Sequence, residues 1–209
     1  MNNTTPMQTR MSDGANRHQP RYWDLRYAEA GYAYGTAPND FLVSVMPQLR
    51  AGRALCLCEG EGRNATYLAQ HGFDATAVDF SPVALGKAQA LAHERGVRLH
   101  VQCADLAVFD PGVSQWDVIT MIFGQPDAHI RRALYARIAA SLRPGGAFVL
   151  ETKAQEQAAA DSQYPGSAQL CAELTGLSFT IARDGERLLQ EGRYHDGVQR
   201  TAQIRAFKS

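Results

Sequence analysis

A glycine-rich loop, Glu59-Gly60-Glu61-Gly62, carries two carboxylates and follows a short apolar run at residues 54–58. Glycines let the backbone approach a ligand closely, and the amino end of a following helix adds N–H donors and partial positive charge. Carboxylates at this place would repel the pyrophosphate of a dinucleotide, and Ala65 stands where the dinucleotide fingerprint needs its third glycine. The loop therefore favours a cationic ligand without phosphate groups.

S-adenosylmethionine fits that description, because it carries an ammonium and a sulfonium and no phosphate. Asp79 ends the next apolar run, where a carboxylate can accept hydrogen bonds from both hydroxyls of a ribose. Asp105 follows the third run and is expected to meet the adenine amino group. The alternative for both aspartates is an ordinary role in a turn or a helix cap.

Strand-like and helix-like patterns alternate behind these loops. Strands are predicted at residues 54–58, 74–78, 98–103, 116–123 and 147–152, and helices at 63–71, 82–94 and 130–142, with partly helical residues at 154–174. Residues 177–190 and 198–207 read as two further strands with no helix between them. The pattern predicts an α/β fold, a doubly wound, mostly parallel, Rossmann-like sheet of seven strands with an antiparallel C-terminal hairpin.

The domain organisation is expected to be simple. Residues 1–19 are polar and predict a flexible N-terminal tail, and residues 20–209 predict a single domain. Within it, residues 20–50 are rich in aromatics and are expected to form helices that cover the ligand, so we call them the lid segment. Asn39 or Asp40 is the expected cap of a helix in this segment.

Composition limits the classes of partner that we expect for this protein. The 21 basic residues balance the 21 acidic ones, so we expect neither nucleic acid nor a membrane as a partner. The chain has no apolar signal core and no spanning run, which predicts a cytoplasmic protein, monomeric or homodimeric. Its four cysteines lack zinc-type pairing, so we expect buried, reduced thiols and no metal site.

Five motifs in order, LCEGEGRNATYLA, AVDFSPVAL, CADL, WDVI and LRPGGAFVLE, resemble the class I S-adenosylmethionine-dependent methyltransferases over about residues 22–207. Within them the chain is most similar to the tellurite-resistance and thiol-methyltransferase-like small-molecule group, through EGEGRN, YWDLRY, YGTAPNDFL and EGRYHDGVQRTAQIRAFK. The resemblance implies S-adenosylmethionine as cofactor. The residues implied to hold it are Trp23, Arg26, Tyr34, Glu59, Gly60, Glu61, Gly62, Asn64, Asp79, Phe80, Ser81, Ala104, Asp105 and Leu106.

The chain departs from that family's pattern in two places. Cys56 stands at the usual acidic position and Cys58 at a usual glycine, which makes Glu59 the nearest candidate for the methionine ammonium. Gln125 stands where many relatives have a histidine after the fourth strand. The Asn/Asp-Pro-Pro-aromatic signature of enzymes that methylate nucleic-acid bases is missing from the same segment, which argues against a base as the acceptor.

Methyl transfer from a sulfonium is an in-line displacement, so a thiolate or oxyanion acceptor needs no general base. The candidate catalytic residues are Arg26, which could pair with an anionic acceptor, Gln125, and His195, which could deprotonate one. Alternatively His195 is only a hairpin-tip residue. Two other functions stay open: a non-catalytic protein that binds S-adenosylmethionine or S-adenosylhomocysteine, and an oxidoreductase. Residues expected to line the acceptor side are Tyr22, Arg26, Tyr34, Gln125, Tyr194 and His195.

Overall fold

Seven strands form one sheet in a computed structural model that describes residues 19–155 and 162–209. They are β1 (Arg53–Leu57), β2 (Asp74–Asp79), β3 (His100–Cys103), β4 (Trp116–Ile122), β5 (Leu142–Lys153), β6 (Ser178–Gln190) and β7 (Asp196–Phe207). Their order is β3-β2-β1-β4-β5-β7-β6. Strands β1 to β5 pair in parallel, and β7 runs antiparallel to both β5 and β6. The predicted doubly wound sheet with a C-terminal hairpin is confirmed.

The described residues form six helices. Two precede β1, namely α1 (Pro20–Tyr27) and α2 (Asp40–Val45), and four lie between strands, namely α3 (Arg63–Gln70), α4 (Pro82–Glu94), α5 (Ala128–Ser141) and α6 (Ser167–Glu173). A short 3-10 turn, Met46–Gln48, follows α2. The side chain of Asn39 accepts a hydrogen bond from the N–H of Leu42 at 3.0 Å, so Asn39, and not Asp40, caps α2. Ser81 caps α4 in the same way, with its Oγ 3.2 Å from the nitrogen of Ala84.

Helices cover both faces of the sheet. Every residue of β4 is therefore buried, and β1 alternates its side chains between two cores. Leu55 and Leu57 belong to the core under α5 and α6, and Ala54 and Cys56 to the core under α3 and α4. All parallel strands therefore end at one edge, where their loops can form a site.

Three details differ from the sequence prediction. The segment 143–146, predicted as a turn before a strand, lies within β5, because Leu142 already pairs with Trp116 before a bulge. The third strand begins at His100, later than predicted. The prediction of buried cysteines is confirmed for Cys56 only, because Cys58 and Cys171 are half-buried and Cys103 is exposed on the edge strand β3; all four cysteines are free.

Some predictions fall on residues that the structure does not describe. The predicted tail lies outside the described residues except for Gln19, and so do residues 156–161 of the partly helical stretch. Within residues 19–155 and 162–209, no helix is long and apolar enough to cross a membrane.

Candidate functional site

Two adjoining cavities of about 240 Å³ and about 190 Å³ lie at the edge where the parallel strands end. Trp23, Cys58, Phe123 and Gln125 border both, so the two cavities meet along these side chains. Together they fall in the size range of about 300–1,000 Å³ that is usual for small-molecule sites. An elongated small ligand could occupy both.

Nearly all of the predicted site residues border one cavity or the other. The larger cavity is lined by Trp23, Arg26, Tyr34, Glu59, Gly60, Glu61, Asn64, Gln125, Tyr194 and His195. The smaller is lined by Trp23, Asp79, Phe80, Ala104, Asp105, Leu106 and Gln125. Gly62 and Ser81 border neither cavity, since they are the N-caps of α3 and α4. Tyr22, which was predicted on the acceptor side, also borders neither cavity. The individual ligand contacts stay predictions.

Glu59 is buried, and its side chain caps the first turn of α3. Its Oε1 accepts hydrogen bonds from the N–H groups of Asn64 at 2.9 Å and Ala65 at 2.7 Å. Its second oxygen has no hydrogen-bond partner among the described residues. Burial raises the pKa of Glu59 to about 7, although the two N–H groups and Arg63 oppose the shift. This carboxylate is therefore close to the point where it loses its charge.

Glu61 uses both of its oxygens inside the protein. One accepts the N–H of Ala33 at 2.7 Å, and the other lies 2.8 Å from Nζ of Lys87. The same Nζ donates to the backbone carbonyls of Glu29 and Gly31. Glu61 and Lys87 thus fasten the lid segment to the loop and to α4, and of the two loop glutamates Glu59 is the one with an oxygen left for a cationic ligand.

Asp79 joins the first two loops. Its Oδ2 accepts the N–H of Gly60 at 2.9 Å, and its Oδ1 accepts the N–H of Ser81 at 3.0 Å. Burial raises the pKa of this carboxyl to about 6 despite these hydrogen bonds. Asp79 therefore fixes the glycine loop and at the same time faces the smaller cavity.

Cys58 occupies a left-handed backbone conformation with φ of +52°, the kind of position that glycine usually fills. Its side chain packs on Gly124, where an added Cβ would lie 2.7 Å from the Cβ of Cys58. Burial raises the pKa of the Cys58 thiol well above its usual value. The glycine-like turn therefore persists in this chain, and the thiol at its centre stays protonated.

The lid segment contributes a cluster of aromatic rings around one guanidinium. Arg26 donates to the hydroxyls of Tyr22 and Tyr34, and its Cζ lies 4.1 Å from the ring centroid of Tyr194. Trp23 stacks on Tyr27 with 5.6 Å between the ring centroids. These contacts hold Arg26 and Trp23 against the cavity.

The turn between β6 and β7 closes another side of the larger cavity. His195 is only 8% exposed, and its ring centroid lies 4.6 Å from that of Tyr34 and 4.4 Å from that of Phe123. Burial lowers the pKa of His195, with Lys153 and Arg63 adding to the shift and Glu191 opposing it. His195 is therefore on the cavity wall and not at a solvent-exposed hairpin tip.

Buried polar contacts anchor this turn. Glu191 forms an ion pair with Arg63 of α3 and accepts a hydrogen bond from Asn39 at 3.1 Å. The hydroxyl of Tyr194 donates to Glu29 at 2.8 Å. Gly192 packs so closely on the lid segment that an added Cβ would lie 2.4 Å from the backbone nitrogen of Gly35.

Sequence reasoning missed Lys153, Phe123 and Arg63 as cavity residues. Lys153 is the last residue of β5, one position beyond the predicted end of that strand, so its place at the carboxyl end was the available signal. Phe123 was predicted as strand, but it has a φ of +55° and lies just beyond Ile122, the last residue of β4. No local pattern indicated Arg63, whose partner Glu191 lies 128 residues away.

The pKa of Glu59 predicts how affinity for a cationic ligand changes with pH. A carboxyl with a pKa of about 7 is mostly neutral at pH 6 and mostly charged at pH 8, so attraction rises with pH. The affinity ratio between the wild type and Glu59→Gln should rise about 10-fold from pH 6 to pH 8. Calorimetric titration with S-adenosylmethionine measures it, and the ratio cancels any titration of the ligand. The glutamine keeps an oxygen for Asn64 and Ala65, and a constant ratio would contradict the prediction.

Residues 54–146, from β1 into β5, match the profile of a methyltransferase domain. No curated protein sequence matches the chain significantly.

The fold is similar to those of many solved structures. A protein studied for the conversion of a disulfide bond into a thioacetal group during echinomycin biosynthesis has a TM-score of 0.73 and 16% identity, over 92% of this chain and 93% of that one. TehB from Haemophilus influenzae has a TM-score of 0.69 and 14% identity, over 83% of this chain and 63% of that one. A SAM-dependent methyltransferase from Methanosarcina mazei has a TM-score of 0.66 and 15% identity, over 79% and 96%. At these identities the likeness concerns the fold.

Proposed function

We propose that this protein is a class I methyltransferase that uses S-adenosylmethionine, and that it methylates a small molecule such as a thiol or a metalloid oxyanion by in-line transfer. The methyltransferase domain does not favour the alternative of a non-catalytic binding protein. The observation that carries the proposal is the pair of adjoining cavities. The larger one, about 240 Å³ in all, is walled by strand ends, the lid segment and the β6–β7 turn. The cofactor residues from Glu59 to Asn64 line part of it, so the space that remains suits only a compact acceptor.

The residues present fit the cofactor. Glu59 keeps one carboxylate oxygen beside the glycine loop, which suits an ammonium. Asp79 and Asp105 border the smaller cavity and would hold ribose and adenine, while Phe80 and Leu106 offer apolar contact to the base. When bound, S-adenosylmethionine supplies a methyl group on a sulfonium, which is already an activated leaving group.

The task left to the chain is to position the acceptor and exclude water. Trp23, Tyr34 and Tyr194 cover the larger cavity from the lid and turn sides. His195, whose pKa is lowered by burial, is neutral near neutral pH and can take a proton from a protic acceptor at an imidazole nitrogen. An acceptor that arrives as an anion needs only to be held.

Two measurements test the function. Calorimetry should show binding of S-adenosylmethionine and none of NAD. Release of S-adenosylhomocysteine should then be followed over a panel of thiols, metalloid oxyanions and small phenols, with a peptide and an oligonucleotide as controls. Turnover of a small acceptor supports the proposal. Tight NAD binding without S-adenosylmethionine binding, or turnover of the macromolecules alone, would overturn it.

A further inference from the structure

We propose that Glu191 is a positioning residue for His195. Its carboxylate holds the neutral imidazole with the proton on Nδ1, so that Nε2 presents its lone pair to the larger cavity. The use of Nε2 as a base for the acceptor's proton rests on the proposed function, whereas the position of the proton does not. Glu191 itself borders neither cavity, so its influence on an acceptor passes through its neighbours.

His195 lies opposite the predicted cofactor residues in the order of the sheet. Glu59, Asp79 and Asp105 follow β1, β2 and β3, and we call their side the predicted cofactor half of the site. Gln125 follows β4 and His195 lies in the turn before β7, beyond the switch point between β1 and β4. We call this second side the acceptor half, and His195 is the imidazole that it presents to the larger cavity.

The ring of His195 has little freedom to turn. Its centroid lies 4.6 Å from that of Tyr34 and 4.4 Å from that of Phe123. The backbone of the turn is fixed as well, because the N–H of Glu191 donates to the carbonyl of His195 at 2.8 Å and the N–H of His195 donates to the carbonyl of Gly192 at 3.3 Å. The ring is therefore held in one place, and the open question is which nitrogen carries the proton.

The two ring nitrogens have different surroundings. Nδ1 is buried and has no hydrogen-bond partner among the residues that the structure describes, and it lies 3.8 Å from Oε2 of Glu191. This distance is too long for a hydrogen bond, but a carboxylate at this range still attracts an N–H and repels a lone pair. A neutral imidazole carries one proton, so a proton on Nδ1 leaves Nε2 as the basic nitrogen that faces the cavity.

Glu191 is held in place as an anion. Burial opposes its ionisation, but His195, Arg63 and Arg187 together lower the pKa of this carboxyl to about 2. Its Oε2 pairs with Arg63, and its Oε1 pairs with Arg187 and accepts a hydrogen bond from Asn39 at 3.1 Å. The two guanidiniums offset much of its charge at longer range. Its effect on His195 is therefore that of one fixed oxygen on the N–H that faces it.

The neighbours of His195 move its pKa in opposite directions. Burial lowers this pKa, and Lys153 of β5 and Arg63 of α3 add to the shift, whereas Glu191 opposes it. The other ionisable side chains that border the same cavity belong to the lid segment, the glycine loop and the turn: Arg26, Tyr34, Cys58, Glu59, Glu61 and Tyr194. The imidazole is neutral near neutral pH, and Glu191 keeps it basic enough to accept a proton.

In the proposed reaction, a protic acceptor gives its proton to Nε2 while its lone pair forms the new bond to the methyl carbon. The bond between that carbon and sulfur breaks, and sulfur keeps the electron pair in S-adenosylhomocysteine. The imidazolium then carries an N–H on both nitrogens, one of them facing Glu191, until Nε2 releases its proton to water. Glu191 thus stabilises the charge that the proton transfer creates on His195.

NMR of the whole protein with ¹⁵N-labelled histidine tests the position of the proton, because protonated and unprotonated ring nitrogens have separate chemical shifts. The chain has six histidines, and the signals that disappear in His195→Gln identify His195. In the wild type, the form protonated on Nδ1 should exceed the form protonated on Nε2 by about 10-fold. In Glu191→Gln this excess should largely disappear, and the pKa of His195 should fall because a group that raises it is lost.

Glu151→Gln is the matched control. The side chain of Glu151 is buried and contacts the same Arg187 and Asn39, at 2.9 and 2.6 Å. It makes no hydrogen bond or ion pair with His195 in the described part of the chain, so this variant should keep both the proton position and the pKa of His195.

A wild-type imidazole protonated on Nε2 would overturn the proposal, and this measurement needs no variant. Equal changes in Glu191→Gln and Glu151→Gln, or an unchanged ratio of the two forms in a folded Glu191→Gln, would also overturn it. Absence of turnover over the acceptor panel would overturn the proposed function instead, because the position of the proton on His195 is measured without an acceptor.

Discussion

Replacing Asp79 by alanine is expected to weaken binding of S-adenosylmethionine by about 1–3 kcal/mol, the cost of losing a buried charged partner. The carboxylate borders the smaller cavity and accepts the N–H groups of Gly60 and Ser81 at 2.9 and 3.0 Å. Alanine would therefore remove a predicted ligand contact and release the glycine loop together. Calorimetric titration measures the affinity, and thermal unfolding measures the accompanying loss of stability.

Asp74→Ala is the matched control, since Asp74 lies at the other end of β2 with an exposed side chain and should leave the affinity unchanged. Asp79→Asn separates charge from loop support, because its amide oxygen can still accept one of the two N–H groups. A normal affinity in Asp79→Ala, with lowered stability, would mean that Asp79 serves the fold alone.

Gly192→Ala is expected to separate the β6–β7 turn from the lid segment. Gly192 has a φ of +81°, and its added Cβ would lie 2.4 to 2.6 Å from backbone atoms of Tyr34 and Gly35, which cannot move aside as a side chain can. Strained φ and overpacking together should cost about 2–4 kcal/mol of unfolding free energy. Turnover should fall at least about 10-fold, because small displacements of His195 and Tyr34 misplace the acceptor. Denaturant unfolding and the rate of S-adenosylhomocysteine release measure the two effects.

Gly197→Ala supplies the control on the same hairpin. Gly197 has a φ of +94°, and nothing lies within 4 Å of its added Cβ. The free energy of unfolding of this variant should fall by only about 1 kcal/mol, the conformational cost of alanine at a positive φ, and its turnover should be unchanged. If both variants lost activity equally, close packing between turn and lid would not be the reason.

Much of the fold could be predicted because its signals are local. The apolar run of β4, the caps Asn39 and Ser81, and the glycine loop are each encoded within a few residues. The position of Asp79 could be predicted as well. Parallel strands end at one edge of the sheet, and Asp79 is the last residue of the second predicted strand, next to the glycine loop that follows the first.

The interior contacts of the site could not be predicted because they join distant residues. The sequence favoured both loop glutamates as partners of a cationic ligand, but both oxygens of Glu61 are occupied, one by the N–H of Ala33 and the other by the ammonium of Lys87. The segment 143–146 has the composition of a turn, and it bulges out within β5, unpaired with β4, because Leu142 and Ala147 on either side of it both pair with that strand. Exposure of Cys103 depends on β3 being an edge strand, which strand order decides.

The buried contacts of Glu191 imply an order of assembly during synthesis. The glycine loop, β2 and α4 are neighbours along the chain, so the predicted cofactor half can form early. The acceptor half depends on Arg63 meeting Glu191 across 128 residues and on Tyr194 meeting Glu29 across 165. Because these contacts need residues near the end of the chain, we expect a nascent chain to enclose an acceptor only after the β6–β7 hairpin has been synthesised.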